Sequence, residues 1–379
     1  MRLQQLKLEN FKNYTSLDVA LGSRLICIVG LNGSGKTNLM DAIHYLVFTK
    51  SGFIANDSSN IKKSEKYFLV KGEVLENDTT TDLICYLQKG QKKTFKKDKI
   101  SYEQLSKHIG KFLGVMCTPY DVQLILSGSE VRRKWIDGCI SQYQPDYLDN
   151  LLIYQRYLKQ RNALLKNING KLNSTNEKLL NTYDRSLVPL AQIITKSRAT
   201  FLEEFMPFFN ANLSFLVKEH ESCEIQLKSK VLEASFSDEY YSLRERDVLL
   251  QRTHLGSHKD DIVFSLEGEP IKRLGSQGQQ KSFLISLKLA QYDHLVEKTG
   301  RYPILLLDDI FDKLDDERIE QLLKLLSDTY PENDKIKQKS QVFLTDARSE
   351  RSRSLTKNIA NTQILEIEAG NLVADNLAQ

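Results

Sequence analysis

Cysteine is scarce and scattered in this 379-residue chain: Cys27, Cys85, Cys117, Cys139 and Cys223 are odd in number and form no CxxC pair. A disulfide framework and a zinc site are therefore disfavoured, and a reducing compartment fits. No apolar run approaches the roughly 20 residues that span a bilayer. The opening Met1-Arg2-Leu3-Gln4-Gln5-Leu6-Lys7-Leu8 interleaves polar residues where a signal peptide needs an unbroken apolar stretch. The expectation is a soluble, cytoplasmic protein with no membrane partner. An excess of one charge sign is also missing, since 53 Lys and Arg against 49 Asp and Glu leave only +4. A nucleic-acid partner is allowed, but any basic surface must be local. No heptad pattern persists, which excludes a long coiled coil, and no internal repeat is visible. The single tryptophan, Trp135, reads as core.

What is present is a strand, a glycine-rich turn and a helix in direct succession. Leu25-Ile26-Cys27-Ile28-Val29 is a continuous apolar run, as a buried parallel strand requires. Gly30-Leu31-Asn32-Gly33-Ser34-Gly35-Lys36-Thr37 follows and matches the P-loop pattern in full. Leu39, Met40, Ala42, Ile43, Leu46 and Val47 then recur at helical spacing. Glycines at 30, 33 and 35 let backbone N–H groups turn toward phosphate oxygens, and the helix start adds its positive end. Asn32 and Asn38 lie within reach of the same nucleotide. Lys36 is expected on the β- and γ-phosphates of ATP, and the Thr37 hydroxyl on Mg²⁺.

Ile304-Leu305-Leu306-Leu307-Asp308-Asp309 supplies the acidic half of such a site. The apolar residues form a buried strand whose carboxyl end carries the acids to the ligand crevice. Asp308 is expected to hold Mg²⁺, and Asp309 to orient or deprotonate the attacking water. For Asp309, a plain helix N-cap is the competing reading. About 270 positions separate Lys36 from Asp308, more than compact kinases and GTPases use. ABC-type ATPases interrupt their core in this way and carry a Ser-x-Gly-x-Gln signature before the acidic strand. Ser276-Gln277-Gly278-Gln279-Gln280 stands there, with helical spacing after it. Ser276, Gly278 and Gln279 would then close over ATP held by a second copy, giving an ATP-dependent homodimer related by two-fold symmetry. Asp312-Lys313-Leu314-Asp315 occupies the D-loop position.

The fold class expected is α/β: an ABC-type P-loop ATPase head with a mixed β-sheet lobe and an inserted, mainly α-helical lobe. The ATPase lobe is placed at 1–118 plus 245–379, and the helical lobe at 119–244, where helical periodicity dominates. Residues 67–99 read as strands and hairpins, and the polar stretch 166–178 as a loop.

Several segments together resemble the RecF family, whose heads are similar to those of SMC proteins. They are Leu8-Glu9-Asn10-Phe11-Lys12-Asn13-Tyr14, Ser127-Gly128 with Val131-Arg132-Arg133-Lys134 and Asp137, and Tyr157 to Leu165. Gly256-Ser257-His258-Lys259-Asp260-Asp261 and Leu307-Asp308-Asp309 with Leu314-Asp315 and Arg318 complete the set. The resemblance covers nearly the whole chain. It departs from the family at Ser257, where proline is usual, and at Tyr120, where glutamate is common. Thr345 and Asp346 stand where transporter ATPases carry a histidine, so no histidine switch is available. The resemblance implies that Lys12 and Asn13 lie near the adenine. It implies a recombination mediator in DNA replication, repair and the SOS response. Such a protein dimerises on ATP, binds DNA at single-strand gaps and junctions, and acts with RecR and RecO to help load RecA. It also implies weak, DNA-stimulated ATP hydrolysis that resets the clamp. The alternatives are another SMC-like ABC ATPase or a transporter-type ATPase subunit, against which the helical insertion and the missing histidine argue.

Three groups admit two readings. Residues 89–99 concentrate lysine on one hairpin, either to meet DNA phosphates or to keep an edge soluble. Arg132 and Arg133 would bind DNA or brace the structure, and a structural role is favoured. His258 with Asp260 and Asp261 suits a capped turn better than a metal site.

Overall fold

In the computed structural model the described residues are 1–76, 78–168, 172–216, 222–310, 340–357, 359 and 361–377. The expected D-loop and Arg318 lie outside them. The chain forms two compact units, 1–121 with 211–219 and 277–379, and 122–210 with 220–276.

The first unit holds two six-stranded sheets. One has the order β2-β1-β4-β5-β6-β7, built from β1 (Arg2–Phe11), β2 (Tyr14–Ala20), β4 (Tyr67–Glu76), β5 (Thr79–Gln88), β6 (Thr94–Lys97) and β7 (Ile100–Ser101). All its pairings are antiparallel. β4 alternates buried and half-buried residues along its length, the period of a strand with one face on a core. The other sheet has the order β15-β14-β3-β13-β12-β8, from β3 (Leu25–Val29), β8 (Gly114–Cys117), β12 (Ile304–Leu307), β13 (Val342–Asp346), β14 (Thr362–Glu368) and β15 (Asn371–Leu377). Its strands are parallel except for the β14–β15 edge pair. β3, β12 and β13 are buried at every residue, which is why β3 and β12 read as unbroken apolar runs.

Helix α1 (Lys36–Phe48) shares one continuous core with strands of both sheets, including Leu6, Phe68, Val70, Ile26, Leu306 and Phe343. Phe11, Tyr45 and Phe68 meet edge to face within it, at 5.4 to 5.6 Å between centroids. Buried Gln341 staples the sheets together. Its Nε2 donates to the carbonyls of Leu3 and Leu21, and its Oε1 accepts from the Leu3 N–H at 2.7 Å.

The second unit contains α2 (Gln123–Leu126), α3 (Ser129–Ser141), α4 (Pro145–Asn167), most of α5 (Ser174–Leu216), α6 (Phe236–Ser242), α7 (Arg244–Leu249) and α8 (Ile271–Leu274). It also contains a sheet of order β11-β10-β9, from β9 (Cys223–Lys228), β10 (Asp261–Leu266) and β11 (Glu269–Pro270). This differs from the expected lobe of 119–244. β9 lies inside the helical stretch but pairs antiparallel with β10, from Asp261–Lys228 to Leu266–Cys223. A single strand cannot satisfy its own backbone groups, so the unit extends to Ser276. The loop expected at 166–178 is shorter, because α5 begins at Ser174 and the Asn173 side chain accepts from the Asn176 N–H. Trp135 is core, with edge contacts to Phe201, Phe205 and Phe264. Buried Arg161 binds Asp184 at 2.6 Å and Asp247 at 2.7 Å. Arg198 binds Asp137 and Asp260, both at 2.8 Å.

Candidate nucleotide site

The glycine-rich turn leaves β3 at Gly30 and enters α1 at Lys36. A Cβ on Gly30 would lie 2.2 Å from the carbonyl oxygen of Ile367, so no larger residue fits. Gly35 has φ of 123° and would press a Cβ against the Asn13 side chain at 2.6 Å. Asn13 is thus part of the loop's support. Its Nδ2 donates to the Ser34 carbonyl, and its Oδ1 accepts from Asn38 Nδ2 at 2.7 Å. Tyr14 donates to the Gly35 carbonyl at 3.0 Å, and the Gly370 N–H donates to Ser34 O at 2.8 Å. The Lys36 ammonium is folded under the loop, donating to Gly30 O at 2.7 Å and Leu31 O at 3.0 Å. Asn32 and Gly33 are exposed at the tip.

Across the turn stands the acidic pair. Asp308 is 2 % exposed, at the carboxyl end of β12. Both its carboxylate oxygens lie 3.0 Å from the Thr37 hydroxyl, and Oδ1 also accepts from Thr345 Oγ1 at 2.8 Å. Burial pushes its pKa above the usual carboxylate value, opposed by the hydroxyls of Thr345 and Thr37. Asp309 sits in the left-handed region at φ 49°, its N–H donating to Thr345 Oγ1 at 2.8 Å. Thr345 therefore fixes both acids. It occupies the position where the sequence offered only a missing histidine. Asp346 accepts from Ser352 Oγ and the Arg348 N–H, which ties the end of β13 to the helix at Ser349–Thr356.

These residues fit ATP and Mg²⁺. No side chain caps the start of α1, so the positive end of the helix is directed at the turn. Ser34 Oγ is buried without a hydrogen-bond partner. A hydroxyl beside a carboxylate is the hard-oxygen set that suits Mg²⁺.

The other expected residues are placed as follows. Lys12 Nζ pairs with buried Asp41 of α1 at 2.7 Å and lies 5.2 Å from the Phe53 ring centroid. Phe53 meets Tyr120 edge to face at 5.8 Å. Asp121 accepts from the Thr118 N–H and pairs with Lys288 at 2.7 Å, which ties the loop after β8 to α9 (Gln277–Thr299). Ser276 is exposed immediately before α9, and Gly278 and Gln279 are half-buried in its first turn. Arg132 binds Asp261 at 2.8 Å, and Arg133 donates to the Asp260 carbonyl, so both arginines brace the second unit. His258 is half-buried within hydrogen-bond reach of the Tyr154 hydroxyl and the Thr253 carbonyl, and desolvation lowers its pKa to about 4. Lys93, from the lysine-rich hairpin, turns inward to Asp57 at 2.6 Å; Lys89, Lys92 and Lys99 are exposed.

Residues 2–364 match the family model described as the RecF/RecN/SMC N terminal domain. The "DNA replication and repair protein RecF" of Cytophaga hutchinsonii is 42% identical over 353 residues, covering 93% of this chain and 91% of that protein. Its counterpart in Flavobacterium johnsoniae is 40% identical over 364 residues, covering 96% and 98%. The chain belongs to the RecF family. Among solved structures, "the recombination mediator protein RecF-ATP in RecFOR pathway" superposes with a TM-score of 0.87 at 26% identity, covering 100% of this chain and 98% of that one. An SMC head bound to a winged-helix domain of ScpA has a TM-score of 0.57 at 14% identity and shares the fold alone. The α/β, ABC-type head read from the P-loop, the signature and the acidic strand is the fold found.

Proposed function

We propose that this chain is the DNA replication and repair protein of its family, a recombination mediator that binds ATP and uses it to clamp DNA. The observation that carries this reading is the meeting of Thr37 and Asp308 over the P-loop, in a chain 42% identical to a RecF protein along nearly its full length. In this mechanism the N–H groups of residues 30–37 and the Lys36 ammonium bind the phosphates. Asn32, Gly33 and Asn38 line the same loop, and Lys12 and Asn13 lie toward the adenine. Thr37 and Asp308 would hold Mg²⁺, which would supply charge stabilisation for the phosphates. Asp309, oriented by Thr345, takes the proton of the attacking water.

One copy completes only half of this site. Ser276, Gly278 and Gln279 at the start of α9 cover the γ-phosphate of a second copy, so ATP joins two heads and hydrolysis releases them. DNA at single-strand gaps and junctions is the substrate of the clamp, and RecR, with RecO and RecA, acts on the product. The exposed lysines of the β5–β6 hairpin fit such a partner. Hydrolysis is slow and stimulated by DNA, in the cytoplasm. The test is DNA binding with and without ATP, on gapped, duplex and single-stranded substrates. ATP-dependent preference for gapped DNA is expected; equal binding in both nucleotide states would overturn the clamp.

A further inference from the structure

A second cluster of cations surrounds a cavity of about 350 Å³ within the second unit, lined by Lys228, Ser229, Lys230, His254, Gly256 and Lys259 among others. The nearby carboxylates are nearly all committed elsewhere. Asp260 accepts from Thr195 at 2.8 Å, from Arg198 at 2.8 Å and from Ser229. Asp247 accepts from Arg161 on one oxygen and from His254 Nδ1 and N–H on the other. Glu239 takes Lys230 at 2.6 Å. Among the described residues, Lys228 and Lys259 have no salt-bridge partner, and Glu233 is the one acid of the lining left uncommitted. The imidazole of His254, whose Nδ1 is engaged by Asp247, accepts from Arg252 Nε at 3.1 Å and holds that guanidinium beside the cavity. Burial, with the charges of Arg252 and Arg133, lowers the Lys259 pKa. Lys228 and Lys259 are both exposed along this lining, and an ammonium crowded by like charges is stabilised by an anion. Val231 and Leu255 complete the lining with apolar surface, and the volume admits a phosphate together with an attached sugar.

We propose that this cavity is a phosphate-binding site in which Lys228 and Lys259 hold a backbone phosphate of the bound DNA strand. The proposal rests on the DNA-binding reading above and adds a contact surface built wholly from residues of the second unit. Lysine supplies a point charge suited to a single phosphate.

Two probes test it. The first is a labelled gapped duplex with ATP, followed by anisotropy across a salt series. Lys259→Gln and Lys228→Gln should each weaken binding and each lower the log–log salt slope by about 1, while Lys259→Arg restores both and ATP affinity stays unchanged. The second is a 5′-phosphorylated dinucleotide, titrated calorimetrically into Lys36→Ala protein so that the P-loop does not account for the heat. Binding of both probes that depends on Lys259 supports the proposal. Dinucleotide binding that depends on Lys259, with gapped DNA indifferent to it, keeps a phosphate site but overturns DNA as its source. Indifference of both probes to Lys228 and Lys259 overturns the site. If the unsubstituted protein fails to bind gapped DNA, the DNA-binding reading falls, and the dinucleotide alone decides the cavity.

Discussion

The Thr37 hydroxyl lies 3.0 Å from each carboxylate oxygen of Asp308, although 271 positions of sequence separate the two residues. The parallel order β3-β13-β12 brings them together, because it sets the carboxyl ends of both motif-bearing strands on one edge of the sheet. Removing this hydroxyl should uncouple metal from nucleotide. Thr37→Val leaves Thr345 on Asp308 and keeps the fold. ATP affinity should then become the same with Mg²⁺ as with chelator, and turnover should fall by roughly a hundredfold. A retained Mg²⁺ response would contradict the assignment.

Burial of Asp308 carries a pH signature. Its pKa is higher folded than unfolded, because burial penalises the charged form. Such a group favours folding while it is protonated, and that contribution is lost as pH rises through the folded pKa. At neutral pH and without Mg²⁺, Asp308→Asn should therefore melt above the unsubstituted protein. As pH falls through the raised pKa, Mg²⁺-dependent ATP binding should weaken. Melting curves, and Mg²⁺-dependent ATP binding beside them, followed upward from about pH 4 to about pH 8 check both statements; coincident melting curves and pH-independent binding throughout would refute them.

Asp309 sits at φ 49°, a conformation that asparagine adopts nearly as readily as aspartate. Asp309→Asn should thus keep the backbone and ATP binding while phosphate release falls by roughly 10² to 10⁴. Asp309→Ala should lose as much activity and also about 1 kcal/mol of stability. Unimpaired phosphate release by Asp309→Asn would assign the base elsewhere.

Arg161 is fully buried between Asp184 and Asp247. Arg161→Leu removes the charge that two buried carboxylates share, leaving Asp184 with Arg244 and Asp247 with His254, and should cost roughly 3 kcal/mol. Urea unfolding measures it. Nucleotide binding per folded molecule should stay unchanged, since these residues lie in the second unit.

The nucleotide half of the site was legible in sequence because its physics is local. Apolar runs mark strands buried on both faces, and glycines mark the positions where Gly30 and Gly35 leave no room for a side chain. Thr345 was not legible as a site residue. Its role depends on β13 lying beside β12, a pairing that no spacing in the sequence encodes. β9 was missed although Cys223-Glu224-Ile225-Gln226-Leu227-Lys228 alternates with period two. A strand so short, among helical segments, is identified only by its partner, and β10 lies beyond the expected boundary. Arg161 was legible as part of a resemblance, but its reason, a charge shared by three distant segments, was not.

The central claim is that ATP held on residues 30–37 of one copy is closed over by Ser276 of another. Light scattering on Asp309→Asn, with Mg²⁺ and with or without ATP, tests it most directly. The account predicts a 43.6 kDa monomer without ATP and a dimer with it. Adding Ser276→Arg should return the monomer while ATP affinity is kept. A protein that remains a monomer at saturating ATP, or a dimer that survives Ser276→Arg, would contradict it.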